Sequence, residues 1–97
     1  MKIVVIGAGV AGLSIGWRLQ QAGANVTVLE RAQLGRGATW ASAGMIAATA
    51  ELGEADTAET RFAAHSAGLW PDFAREIEEA SGVNIGFRRD GMLMVAR

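Results

Sequence analysis

The sequence contains no cysteine, only one histidine (His65) and only one proline (Pro71). The absence of cysteine excludes disulfide bonds, thiolate metal ligands and thiol nucleophiles. A single histidine excludes a metal site built on several imidazoles, so we expect no bound metal. A chain without cysteine is compatible with the cytoplasm, and we expect a cytoplasmic location.

A strong excess of one charge is also missing. Nine basic and ten acidic residues give a formal net charge of −1. This balance offers no electrostatic reason to bind nucleic acid or an anionic membrane, and we expect neither as a partner. The one apolar stretch near the amino terminus is bracketed by Lys2 and Arg18. It is therefore a poor membrane span, and it lacks the cleavage site of a secretory signal.

What is present is a chain of 97 residues, of which 51% are apolar and 20% charged. This is the composition of one small globular domain and not of a disordered chain. Residues 2–6 and 25–29 are β-branched runs that predict strands. Residues 10–22 predict a helix that Gly23 ends. The order predicts an α/β fold that begins with a βαβ unit of parallel strands.

The remaining residues predict three kinds of backbone. Residues 32–50 are rich in glycine and alanine and suit close approach to a ligand. Residues 56–81 have a helical apolar pattern, with a kink or a junction of two helices expected at Pro71. Residues 84–97 predict a β-hairpin. We expect domain boundaries that give a nucleotide-binding unit at 1–50, a helical segment at 51–83 and the hairpin at 84–97.

Two details of the helical segment are open to test. Asp56 and Glu59 have the spacing of a capping pair at the start of the helix. His65 falls within the apolar pattern of the helix, which favours a partly buried structural histidine over a catalytic one.

A G-x-G-x-x-G motif lies between the first predicted strand and the helix. Its first glycine permits a tight turn, its second lets backbone approach a pyrophosphate, and its third allows close packing of helix on strand. The free N–H groups at the start of the helix would face the phosphates. The candidate phosphate-binding residues are Gly7, Ala8, Gly9, Val10, Ala11 and Gly12.

Glu30 ends the second predicted strand. A carboxylate at this position can accept hydrogen bonds from both hydroxyls of an adenosine ribose. It would also repel a 2′-phosphate, which argues against NADP despite the neighbouring Arg31. The residues that follow carry Arg36, Thr39 and Ser42, which can bind phosphate or ring atoms of an extended cofactor. The residues alone leave open whether this stretch binds a cofactor or is a surface loop.

The residues quoted so far resemble the amino-terminal FAD-binding part of the D-amino-acid oxidase superfamily, and within it the bacterial glycine oxidases of thiamine biosynthesis. The resemblance rests on the glycine motif, on Glu30, on the Gly-Arg-Gly-Ala-Thr run at 35–39 and on the Ala-Ser-Ala-Gly-Met run at 41–45. It implies a Rossmann-like FAD-binding domain and FAD as cofactor. It places Arg31 beside the adenine end, with further cofactor contacts at Arg36, Ala38, Thr39, Ala43, Gly44 and Met45.

The resemblance also implies a reaction, the oxidative deamination of glycine or a small D-amino acid by hydride transfer to the flavin. Members of the family are several times longer than 97 residues. We therefore expect an amino-terminal fragment that cannot turn over substrate by itself and that contains no catalytic residue. One crossover helix would leave a sheet face uncovered, so we also expect self-association. The alternatives are part of an NAD-dependent dehydrogenase and a non-catalytic nucleotide-binding module.

Overall fold

The computed structural model describes residues 1–46 and 55–91, together with Leu93 and Val95. The chain divides into two compact units, Met1–Met45 and Ile46–Arg97. Each unit is described by itself below. The predicted domain boundaries stay a prediction.

The first unit begins with the predicted βαβ arrangement. Strand β1 spans Lys2–Ile6, helix α1 spans Val10–Gln21 and strand β2 spans Asn25–Leu29. The two strands pair in parallel, from Lys2 opposite Asn25 to Ile6 opposite Leu29. Helix α1 ends because Gly23 adopts φ +97° and turns the chain towards β2. The α/β fold class and the βαβ unit predicted from the sequence are confirmed.

Small residues bring α1 close to the sheet. Gly7 has φ +105°, a conformation that side chains rarely adopt, and it makes the turn out of β1. A Cβ atom on Gly12 would overlap the carbonyl of Gly7, so the helix can start this close to the strand only with glycine there. One turn later, Gly16 is buried, and a Cβ atom there would lie 3.5 Å from side-chain carbons of Val26 and Val28.

The two faces of the sheet differ in exposure because side chains alternate along each strand. The face towards α1 carries half-buried residues, namely Ile3, Val5, Val26 and Val28. The opposite face carries Val4, Ile6 and Leu29, whose exposed fractions are 60%, 87% and 52%. One face of the sheet therefore presents apolar side chains within the described residues.

A short helix follows β2. Helix α2 spans Ala38–Ala41, a single turn inside the glycine- and alanine-rich stretch of residues 32–50. Gly37 precedes α2, and the N–H groups of Trp40 and Ala41 donate to its carbonyl. Residues 43–46 that follow have no regular secondary structure. Residues 47–50 of the predicted first domain lie outside the described residues.

The second unit is built on one long helix. Helix α3 spans Ala58–Ser81 and continues through Pro71, so the alternative of two helices meeting there is wrong. The predicted Asp56–Glu59 capping pair is also wrong. The side chain of Thr57 caps the helix and forms a capping box with Thr60, because the helix starts one residue later than that pair requires.

The exposure of α3 corrects one further expectation. His65 is exposed, although the apolar pattern predicted that it would be partly buried. Phe62 and Leu69 of the predicted apolar stripe are exposed as well, whereas Phe73 and Ile77 are half-buried. The helix therefore buries only part of its apolar face among the described residues. Within the part of the chain that the structure describes, no helix is both long and apolar enough to cross a membrane.

The hairpin predicted for residues 84–97 is not formed by the residues that the structure describes, none of which belongs to a strand there. The side chain of Asn84 accepts a hydrogen bond from the Gly86 N–H, and Gly86 has φ +71°. This local turn interrupts extended backbone. The ring of Phe87 stacks on Trp70 of α3 at a centroid distance of 6.3 Å. Met92 and Met94, the predicted hairpin core, lie outside the described residues.

Candidate cofactor-binding site

The glycine-rich loop (residues 7–12) joins β1 to α1 and presents backbone N–H groups. The Gly7 N–H donates to the Leu29 carbonyl at 2.7 Å, which extends the pairing of the strands into the loop. Gly9 precedes α1 and provides no side-chain cap. The first bond of the helix runs from the Leu13 N–H to the Gly9 carbonyl. The N–H groups of the first turn therefore point out of the helix start.

One of these groups is occupied, and three have no acceptor among the described residues. The Val10 N–H donates to the hydroxyl oxygen of Thr39 at 2.9 Å. No described residue accepts a hydrogen bond from the N–H of Gly9, Ala11 or Gly12. These three donors lie at the positive end of the helix dipole, where an anion is stabilised.

Glu30 lies beside this loop and is fixed by two backbone donors. Its Oε1 accepts from the Ala8 N–H at 3.1 Å, and its Oε2 accepts from the Ala32 N–H at 2.9 Å. These bonds, that of Ala32 first, lower the pKa of Glu30 below its ordinary value of 4.5. The carboxylate is therefore ionised at neutral pH. Its two oxygens have about four acceptor positions, so about two stay free for ribose hydroxyls.

The segment after β2 is attached to the glycine-rich loop at two points. The Gly35 N–H donates to the Ala8 carbonyl at 2.8 Å, and Thr39 accepts from Val10 as described. A Cβ atom on Gly9 would lie 2.9 Å from the Thr39 hydroxyl, so glycine leaves room for this contact. The hydroxyl acts as an acceptor towards Val10, which leaves its own hydrogen free to donate to a phosphate.

Arg36 and Trp40 form a stacked pair on this segment. The central carbon of the Arg36 guanidinium lies 3.7 Å from the centroid of the Trp40 ring, a cation–π contact. The Trp40 side chain is 66% exposed. Arg36 forms no ion pair with a described residue, so its charge is available to an anion.

The structure brings together the predicted residues of the loop, Glu30 and Thr39. Arg31 is exposed directly after Glu30, and Ala38 is the exposed first residue of α2. Ala8 is fully buried, and its N–H and carbonyl both bond to other parts of the chain. Its place in the site is therefore structural support for Glu30 and for the segment at Gly35.

Three predicted residues of the site are not attached to the glycine-rich loop in the described structure. Their backbone makes no hydrogen bond to the glycine-rich loop, and all three are exposed. Their contact with the flavin ring stays a prediction. They are Ala43, Gly44 and Met45.

Sequence reasoning missed the backbone groups that organise the site. The Ala32 N–H fixes Glu30, and the Gly35 N–H fixes the segment that follows β2. The residue type does not predict which backbone N–H groups form such bonds. Arg36 lies before α2, whose N-cap is Gly37, so no helical i, i+4 spacing predicted the Arg36–Trp40 pair.

The arrangement fits the ADP part of a dinucleotide. The free N–H groups and the Thr39 hydroxyl can bind a diphosphate, and Glu30 can bind the ribose that precedes it. Glycines at positions 7, 9 and 12 place no side chain of their own at the junction, and the Thr39 hydroxyl contacts it at the Val10 N–H. Among residues 1–46 and 55–91, with Leu93 and Val95, no three acidic or histidine side chains are grouped so that they could hold a metal.

Comparison with known proteins agrees with this geometry. The model of the family described as "DAO: FAD dependent oxidoreductase" matches residues 2–97. The chain is 38% identical over 98 residues to 4-methylaminobutanoate oxidase (formaldehyde-forming) of Paenarthrobacter nicotinovorans, a match that covers 100% of this chain and 11% of that protein.

Two glycine oxidases are also similar. The protein of Bacillus subtilis (strain 168) is 38% identical over 95 residues, covering 98% of this chain and 26% of that protein. The protein of Geobacillus kaustophilus (strain HTA426) is 32% identical over 94 residues, covering 97% and 25%. The chain thus spans 26% or less of the length of these relatives. Since the family model matches nearly every residue, the chain belongs to the DAO family of FAD-dependent oxidoreductases.

Proposed function

We propose that residues 7–12 and Glu30 bind the ADP part of FAD in an enzyme that oxidatively deaminates glycine or a small D-amino acid. The observation that carries the proposal is the hydrogen bond from the Ala8 N–H to Glu30, which places a ribose acceptor beside a phosphate-binding loop. The similarity to two glycine oxidases supports the choice of substrate. We also propose that this enzyme acts in thiamine biosynthesis.

Each part of the chain has a task in this proposal. The N–H groups of Gly9, Ala11 and Gly12 bind the diphosphate together with Thr39, and Arg36 offsets its charge. Arg31 lies at the adenine end. The residues proposed to run along the flavin are Ala38, Ala43, Gly44 and Met45.

Bound FAD would supply the hydride acceptor for the amine carbon of the substrate. The residues described here do not take part in that transfer. They would hold and orient the cofactor, and the ionised Glu30, fixed by the Ala8 and Ala32 N–H groups, would offer its remaining acceptor positions to the sugar. The prediction that the 97 residues do not oxidise substrate by themselves stays a prediction, as does the cytoplasmic location.

The alternatives differ in what they bind. Part of an NAD-dependent dehydrogenase is not favoured, because the matching family is FAD dependent. A non-catalytic module would bind a nucleotide weakly or not at all, so loss of all affinity for ADP would favour it. We also propose self-association through the apolar sheet face of Val4, Ile6 and Leu29, which is exposed in the described residues.

Titration of the chain with FAD tests the proposal, with flavin fluorescence as the readout and ADP and NAD as competitors. We expect FAD to bind, ADP to displace it and NAD to compete less well than ADP. Failure of both FAD and ADP to bind would contradict the proposal. Hydrogen peroxide formation from glycine tests the second point, and robust turnover by the 97 residues would contradict the expected lack of activity. A light-scattering mass equal to that of a monomer would contradict self-association.

A further inference from the structure

We infer that Trp40 is a positioning residue for Arg36 and that the stacked pair confers affinity for the diphosphate of the cofactor. This inference rests on the proposed binding of an ADP-containing ligand at the glycine-rich loop. It assigns a role to Trp40, which is not among the cofactor-binding residues predicted from the sequence.

The place of the pair in the chain supports the role. Arg36 directly follows Gly35, whose N–H is bonded to the Ala8 carbonyl. Trp40 directly follows Thr39, whose hydroxyl is bonded to the Val10 N–H. Each member of the pair therefore directly follows a residue that is attached to the glycine-rich loop.

The contact itself restricts the arginine. An exposed arginine side chain loses much conformational freedom when it binds an anion, and this loss weakens binding. The central carbon of the guanidinium lies 3.7 Å from the ring centroid, so the guanidinium is already held against the Trp40 indole. Its N–H groups project from the edge of the guanidinium plane, so the stack leaves them available for phosphate oxygens.

The exposure of Trp40 argues against a simple packing role. Its side chain is 66% exposed, so it buries little apolar surface. The other two tryptophans are half-buried, and Trp70 packs against Phe73 and Phe87. Removal of the Trp40 ring should therefore change ligand binding more than it changes folding.

The test compares ADP with adenosine by isothermal titration calorimetry on the full chain. Arg36→Gln should weaken ADP binding about 5- to 10-fold and leave adenosine unchanged, because only ADP carries the diphosphate. Trp40→Ala should weaken ADP binding about 2- to 5-fold, the range of an exposed cation–π contact, and also leave adenosine unchanged. Trp40→Phe retains an aromatic face and should restore most of the ADP affinity.

The double variant and the salt dependence distinguish a positioning role of Trp40 from a purely structural role. In the Arg36→Gln background, Trp40→Ala should have no further effect on ADP affinity. Arg36→Gln should reduce the salt dependence of ADP binding because it removes a cation, and Trp40→Ala should reduce it less, because the cation remains but is no longer held in place. Thermal unfolding should show a similar midpoint for the Trp40 variants and the unmodified chain.

The outcomes distinguish this inference from the proposed function. If the unmodified chain does not bind ADP, the proposed function fails. If it binds ADP and Trp40→Ala binds equally well, the inference alone fails. A loss of adenosine affinity in Trp40→Ala would also overturn it, because the ring would then act on the nucleoside and not through Arg36.

Discussion

The Glu30 carboxylate accepts a hydrogen bond from the Ala8 N–H at 3.1 Å, although 22 positions separate the two residues in the sequence. This bond connects the end of β2 to the loop that follows β1. It exists because the parallel pairing places the carboxyl ends of both strands at the same edge. The proposed sugar acceptor and the proposed phosphate donors are therefore parts of one site.

Replacement of Glu30 should affect recognition of the ribose. Glu30→Gln keeps an acceptor for Ala8 but loses the charge and one acceptor oxygen. We expect ADP affinity to fall about tenfold, as for the loss of a hydrogen bond to a charged group. The unmodified chain should prefer ADP to 2′-deoxy-ADP, and the variant should lose most of this preference. Calorimetry with both nucleotides measures the effect, and an unchanged preference would contradict the role of Glu30.

The lowered pKa of Glu30 makes stability depend on pH in a defined direction. Its carboxylate is ionised in the folded chain at pH values where an ordinary glutamate is protonated. The contribution of Glu30 is thus complete above its ordinary pKa of 4.5 and is lost as the pH falls through the folded-state pKa. Urea unfolding should show a stability difference between the chain and Glu30→Gln that is constant from neutral pH to about pH 5 and shrinks below. A difference that grows on acidification would be inconsistent with this account.

Two glycines of α1 form a matched pair of tests. A Cβ atom on Gly12 would overlap the Gly7 carbonyl, so Gly12→Ala should lower the free energy of unfolding by about 2–3 kcal/mol. A Cβ atom on Gly16 would meet Val26 and Val28 at 3.5 Å, an ordinary contact. Gly16→Ala should therefore be neutral or stabilise by up to about 1 kcal/mol, because alanine favours helix. Equal effects of the two substitutions in denaturant unfolding would argue against the close approach at Gly12.

The Thr39 hydroxyl should contribute both to stability and to binding. Thr39→Val keeps the shape of the side chain but removes the acceptor for the Val10 N–H. We expect the free energy of unfolding to fall by about 0.5–1 kcal/mol and ADP affinity to fall as well. Thr39→Ser retains the hydroxyl and serves as the control. If valine and serine give the same ADP affinity, the hydroxyl has no part in binding.

The sequence predicted the first unit well because its signals are local. β-branched runs mark both strands, Gly23 marks the end of α1, and the spacing of glycines marks the loop between them. The bounds of β1 and β2 agree with the prediction at every residue. The position of Glu30 at the end of β2 followed from the same pattern, whereas its hydrogen bond from the Ala8 N–H was not predicted.

The rest depends on interactions that residue type does not reveal. The cap of α3 shifted from Asp56 to Thr57 because several residues near a helix start can cap it. Among the described residues of the predicted hairpin, the chain forms an Asn84–Gly86 turn and Phe87 stacks on Trp70. In the site, Ala32 and Gly35 act through backbone N–H groups, which every residue but proline possesses.

The most direct test of the account is to follow the backbone amides of the chain by two-dimensional nuclear magnetic resonance during titration with ADP. We predict saturable binding in which the largest amide shifts belong to Gly9, Ala11 and Gly12, the loop N–H groups without an acceptor among the described residues. Absence of binding, or shifts concentrated on α3 with these three amides unchanged, would contradict the central claim.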